Sequence, residues 1–213
     1  MASLHVGAEL LSSFDINNIK IETLLFQTGY LSIDTMIENR RGGFSYTLKV
    51  PNKEVNLSLN DLFIDYLTNQ NVEKLPYQNS LYDYFFDADL EGIKQTFTSL
   101  FASIPYNNYV KNEMAHFEGY YASVMYAYLA SLGFELVAED VTNRGRIDLT
   151  LKIENYIYII EFKVGKENAL KQIKEKNYAQ KYLSSKSVIY LIGINFDESI
   201  KNISLFEYEL ITV

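Results

Sequence analysis

Cysteine and tryptophan are absent from this 213-residue chain, and histidine (two) and proline (three) are scarce. The lack of cysteine excludes disulfides and thiolate metal sites. With only His5 and His116 available, zinc is also disfavoured. No apolar stretch approaches the roughly 18 to 20 residues of a membrane span. The N-terminal MASLHVGAELLSSFD lacks a basic leader and a long apolar core, so no signal peptide is expected. A cysteine-free chain of this kind fits a reducing compartment, and a cytoplasmic setting is expected, with no membrane partner. Positive charge is also short. Nineteen basic against 27 acidic residues leave a net charge of −8, which argues against a protein that coats nucleic acid non-specifically.

What is present is apolar and aromatic. Hydrophobic residues make up 48% of the chain, with 18 Tyr and 13 Phe, enough to build one large core or two small ones. Charge is uneven along the chain. Residues 1–105 hold 7 basic and 13 acidic side chains, and residues 106–213 hold 12 and 14. Seven lysines fall within 163–186, against Glu167 and Glu175. They read either as a solvated helix face or as a track for an anionic substrate.

Pro51, Pro76 and Pro105 punctuate the chain between periodic stretches. INNIKIETLLFQT (16–28) has helical apolar spacing and ends at Gly29. Strands at 30–33 and 44–50 flank the polar turn ENRRGG, and 54–67 is helical again. This predicts a helix–hairpin–helix module of winged-helix type, followed by helices at 78–87 and 89–103. The domain boundary is expected at 105/106. A long helix over about 110–132 is predicted from Phe117, Tyr120, Tyr121, Val124, Met125, Tyr128 and Leu129, which form one helical stripe closed by Gly133. Strands follow at 134–138, 146–153 and 156–164, then a helix at 166–182 and strands at 187–194 and 204–211. A helix between two apolar strands predicts a parallel crossover and a mixed sheet covered by helices.

Two acids fall inside these strand patterns: Asp148 in GRIDLTLKI and Glu161 in YIYIIEFKV. A buried carboxylate is costly unless it is paired or coordinated. Strand alternation places Glu161 and Lys163 on one face, with Ile160 and Phe162 on the other. One reading is an intrastrand ion pair, which leaves Asp148 without a role. The other is a Mg²⁺ or Mn²⁺ site built from both carboxylates, water and a backbone carbonyl such as that of Phe162. A lysine beside such an ion can orient water or neutralise charge on a phosphate. Arg146 either contacts phosphate or pairs with Glu139 or Asp140. His116 stands two residues before Glu118, so a helix turns the two to different faces. The tyrosines at 120, 121, 126 and 128 read as packing residues rather than base platforms.

GRID (145–148), EFK (161–163) and QIKEKNYAQKY (172–182), in this order, resemble the PD-(D/E)xK nuclease superfamily. The resemblance implies a restriction-endonuclease-like α/β fold: a mixed central sheet flanked by helices, here preceded by a mostly helical N-terminal module. It also implies roles for residues. Asp148, Glu161, Lys163, Glu118 and Gln172 would be catalytic. Asp148, Glu161, Glu118 and the Phe162 carbonyl would hold Mg²⁺ or Mn²⁺. Arg146, Lys176 and Tyr178 would contact the substrate, DNA or alternatively RNA. The proline of the nominal PD motif is replaced by Ile147. More narrowly, LLFQTGYLSI (24–33) and YTLKVPNKEV (46–55) resemble the tail of an AAA-ATPase-like region that precedes the nuclease domain in a bacterial subgroup. No Walker A motif can be written in the sequence, so the nucleotide-binding part is not expected here. The chain is therefore expected to be either a metal-dependent nuclease or a catalytically silent nuclease-fold module. A silent module would dock on or regulate an ATPase-like partner. Self-association is left open.

Overall fold

The computed structural model describes residues 4–7, 10–11, 20–69, 74–105 and 118–211. The chain divides into two compact units, Met1–Leu59 and Asn60–Val213.

The first unit contains β1 (Leu4–Val6), α1 (Ile21–Gln27), β2 (Ser32–Glu38) and β3 (Phe44–Lys49). The strands form an antiparallel sheet of order β1-β3-β2. The turn between β2 and β3 falls where ENRRGG predicts it, and Gly42 and Gly43 both adopt positive φ there. Leu10, Tyr46 and Leu48 form a small core under Phe26 and Leu31. Strand β1 was not foreseen from the sequence. Residues 12–19, including the predicted start of the first helix, lie outside the described residues.

α2 (Lys53–Thr68) begins in the first unit and ends in the second. Asn52 caps it, its Oδ1 accepting the Val55 N–H at 2.8 Å. α3 (Lys74–Asp87), α4 (Leu90–Ser103) and α5 (Glu118–Ser131) follow, then β4 (Glu135–Thr142), β5 (Gly145–Ile153), β6 (Tyr156–Val164), α6 (Ala169–Glu175), β7 (Val188–Asp197) and β8 (Asn202–Ile211). The five strands pair in the order β4-β5-β6-β7-β8. Only β6 and β7 are parallel, and α6 makes the crossover between them. This mixed α/β arrangement, with one central sheet and helices, fits a PD-(D/E)xK nuclease fold.

The expected boundary at 105/106 is corrected by the packing. Leu81, Phe85, Ile93, Phe97, Leu100 and Phe101 of α3 and α4 share one core with the sheet and α5. These helices cannot bury their apolar faces without it. Phe196 of β7 stacks on Tyr121 at 4.2 Å and meets Phe101 edge-on at 5.0 Å. Tyr158 anchors the layer by donating to the Phe85 carbonyl at 2.6 Å. The helical stripe read from Tyr120 to Leu129 is buried as predicted. Phe117 and His116 lie outside the described residues.

The opposite face of the sheet packs Ile147, Ile157, Ile159, Ile189 and Leu191 against Ile173, Tyr178 and Ala179. The predicted helix 166–182 is shorter than expected. Asn177 adopts the left-handed conformation (φ 50°, ψ 46°) and ends α6, and two short 3₁₀ turns follow at 178–181 and 183–185.

Candidate active site

The site forms where β5 and β6 part. Their ladder pairs Ile153 with Tyr156 at one end and Leu149 with Ile160 at the other, and goes no further. β5 stays paired with β4 as far as Gly145, and β6 with β7 as far as Val164. Backbone amides in the opening lose their ladder partners and must be satisfied another way. Two carboxylates do this. Asp148 Oδ2 accepts the Phe162 N–H at 2.8 Å, and Glu161 Oε2 accepts the Asp148 N–H at 3.4 Å. The acids are therefore side by side, each bound to the other strand.

Three further side chains reach the pair. Lys163 Nζ lies 3.8 Å from Glu161 Oε1 and 3.3 Å from Glu118 Oε1, and it donates to the Phe162 carbonyl at 2.8 Å. Glu118 opens the first turn of α5. Gln172 of α6 donates through Nε2 to Glu161 Oε1. The structure thus brings together Asp148, Glu161, Lys163, Glu118 and Gln172, all of which the sequence singled out.

Burial and the neighbouring Asp148 charge push the Glu161 carboxyl up to about 8, against the opposing pull of Lys163. Glu161 is 1% exposed. Burial also raises Asp148, although the Phe162 N–H and Lys163 pull the other way. Two adjacent hard-oxygen donors that resist ionisation suit a divalent cation, which would favour their charged forms. Asp148 and Glu161 are the carboxylates that could hold a divalent cation such as Mg²⁺ or Mn²⁺. No group of three His, Cys, Asp or Glu side chains placed to hold a metal occurs among the described residues. Here Glu118 engages Lys163, and the Phe162 carbonyl accepts from the same ammonium.

The residues expected to touch substrate separate. Tyr178 is corrected: it is buried in the core beneath the sheet, and its hydroxyl donates to the Arg146 carbonyl at 3.0 Å. It supports the strand that carries Asp148 and presents no surface to a ligand. Gly145 allows the approach, since a Cβ there would sit 2.8 Å from the Tyr178 hydroxyl. Arg146 pairs with Glu139 at 3.1 Å. Lys176 is exposed at the end of α6 and has no carboxylate partner among the described residues. The lysine cluster is largely neutralised: Lys171 pairs with Glu175, Lys174 with Glu209 and Lys181 with Asp140.

Two positioning residues were missed. Gly193 lies opposite Glu161 in the β6–β7 register. A Cβ there would stand 2.2 Å from the Leu170 backbone nitrogen, so only glycine lets α6 lie this close to β7 and present Gln172. Asn195 is buried and ties down the start of α6, accepting the Ala169 N–H at 3.2 Å and donating to the Glu167 carbonyl. A glycine and an asparagine inside the apolar run VIYLIGINF were the available signal.

Residues 116–205 match the family model of the PD-(D/E)XK nuclease superfamily. The chain is 38% identical over 205 residues to an uncharacterized protein in the vnfD 5′ region of Azotobacter chroococcum mcd 1. That match covers 94% of this chain and 39% of the relative, so the chain spans about two fifths of the relative's length. No solved structure matches significantly. No described helix is long and apolar enough to cross a membrane. The family match over 116–205 takes in Asp148, Glu161, Lys163, Glu118 and Gln172, and it supports placing this part of the chain in the PD-(D/E)XK nuclease superfamily.

Proposed function

We propose that the chain is a metal-dependent nuclease that hydrolyses phosphodiester bonds in DNA at the fork between β5 and β6. The observation that carries this reading is the convergence of Asp148, Glu161 and Lys163 where the ladder opens. Nucleases of this superfamily typically use divalent metals such as Mg²⁺. Asp148 and Glu161 would hold such an ion, which would supply Lewis-acid charge to the phosphate and to the attacking water. The chain's own residues supply the rest. Lys163 brings a positive charge to the place where the phosphate gains negative charge. Glu118 holds that ammonium from the α5 side, and Gln172 fixes the orientation of the Glu161 carboxylate from the α6 side. Arg146 and Lys176 are the proposed contacts to the nucleic-acid backbone. The resemblance of 24–33 and 46–55 supports an ATPase-like region as partner of the nuclease part.

The test is cleavage of DNA with Mg²⁺ or Mn²⁺ by the wild type, Asp148→Ala and Lys163→Ala. Cleavage by the wild type alone is expected, and activity that survives both substitutions excludes this mechanism.

One observation favours a second reading, a silent docking module: the Lys163 ammonium already engages the Phe162 carbonyl and Glu118. A metal-binding site raises the melting temperature when its ion is added. No shift with millimolar Mg²⁺ or Mn²⁺ would support the silent module.

A further inference from the structure

A cleft of about 600 Å³ opens beside the acidic pair, a size within the roughly 300–1,000 Å³ typical of ligand pockets. Asp148 and Glu118 lie in its lining, as do Phe63 and Tyr66 of α2 and Tyr126 of α5. Phe63 is 52% exposed and Tyr66 80% exposed. Neither ring stacks on another aromatic among the described residues. A helix gains nothing for its own core by leaving two aromatic rings in water on the wall of a cleft.

The charges of the cleft disfavour one kind of occupant. Among the described residues Arg146 is its only cation, and Arg146 is paired with Glu139, which also lines the cleft. With Glu118 and Asp148 added, the described lining is net acidic, so away from Arg146 and the acidic pair a phosphate chain gains little there. Flat, neutral, polarisable faces would be accepted. A nucleobase has such a face, and stacking on aromatic side chains is tolerant of base identity. A base inside a duplex cannot offer it, because both faces are covered by neighbouring pairs.

We propose that this cleft holds an unpaired nucleobase, stacked against Tyr66 and Phe63, next to the phosphodiester at Asp148 and Glu161. The substrate is therefore single-stranded DNA at the point of cutting. This inference rests on the nuclease reading for the position of the phosphate, and on the aromatic wall for the base.

The test uses the full chain and a fluorescein-labelled single-stranded oligonucleotide, its duplex, and a single-stranded version with abasic sites. Binding is read by fluorescence anisotropy in EDTA, and cleavage is read separately after Mg²⁺ is added. The wild type is expected to bind the single strand about tenfold or more tightly than either the duplex or the abasic strand. Phe63→Ala/Tyr66→Ala should lose about that factor on the single strand and almost nothing on the abasic strand, whereas Tyr66→Phe should retain wild-type affinity. Both side chains are exposed, so these variants are expected to fold. Equal or tighter binding of the duplex, or unchanged affinity in the double variant, overturns the proposal. Metal-dependent cleavage of duplex by the double variant at the wild-type rate overturns it while leaving hydrolysis intact. Tight, base-dependent binding without cleavage by the wild type sustains the cleft and overturns hydrolysis.

Discussion

Two acids are buried on the same sheet, and they are treated differently. Asp140 of β4 is 5% exposed, and its carboxylate receives Lys181, the Tyr182 hydroxyl and, at 2.9 Å, the Thr150 hydroxyl. Burial raises its carboxyl, but those hydrogen bonds and the Lys181 charge outweigh burial, so the net shift is downward. Glu161 of β6 is buried at least as deeply, yet it faces a second carboxylate and is pushed up to about 8. Its cation, Lys163, is at 3.8 Å and divided between two acids. The pair at Asp140 is complete and pins the 3₁₀ turns after α6 to β4. The pair at Glu161 is short of positive charge. A buried acid whose partners already satisfy it is architecture, and one left short of charge is a candidate for chemistry.

Several substitutions would break or sharpen this contrast. The largest effect is expected at the fork itself: Lys163→Ala should reduce Mg²⁺-dependent cleavage at least about a hundredfold, with the far-ultraviolet circular dichroism unchanged. Asp148→Ala should do the same, because it also removes the acceptor of the Phe162 N–H. Next comes Gln172→Ala, which frees the Glu161 carboxylate to rotate. Activity or metal affinity should fall about 10- to 100-fold, measured by Mn²⁺ titration of the cleavage rate. Asp140→Ala should act on stability instead. It strands Lys181 and Tyr182, and should cost about 1–3 kcal/mol in urea unfolding, while leaving the metal dependence of any activity in place.

The smallest expected effect is in pH. Glu161 has a folded pKa of about 8, above its ordinary 4.5, so the native state binds its proton more tightly than the unfolded chain does. Its contribution to stability is complete below about pH 4.5 and is lost as pH rises through 8. Asp140 is lowered, so its contribution is present above the ordinary carboxylate range and is lost as pH falls through its depressed value. Without metal, the melting temperature should drop by a few degrees between pH 6 and pH 9. Glu161→Gln should flatten that limb, and Asp140→Asn should leave it unchanged.

Much of this was legible in the sequence because period and chemistry agreed. The stripe from Tyr120 to Leu129 and the uninterrupted runs of β6 and β7 defined the helix, the strands and the parallel crossover between them. Glu161 and Lys163 stood out because a charged pair in a buried strand conflicts with its surroundings. Other features had no local signature. The end of α6 depends on the left-handed Asn177, while the lysine periodicity runs on beyond it. The place of α3 and α4 depends on which apolar face covers theirs, a matter of tertiary packing. Tyr178 sat in a motif that suggested a surface role, but the close approach at Gly145 and the Arg146 carbonyl draw it inside. Gly193 and Asn195 act only through the helix laid across them.

The most direct test of the contrast between the two acids is calorimetric titration with Mn²⁺ at pH 7 in two buffers of different ionisation enthalpy. At that pH Glu161 holds its proton for most of the time, so binding at the fork should release a proton into the buffer. The expected result is binding with proton release in the wild type and in Asp140→Asn, and loss of both in Glu161→Gln. Binding that releases no proton, or that persists unchanged in Glu161→Gln, would contradict the assignment of Glu161 as the carboxylate held for a cation.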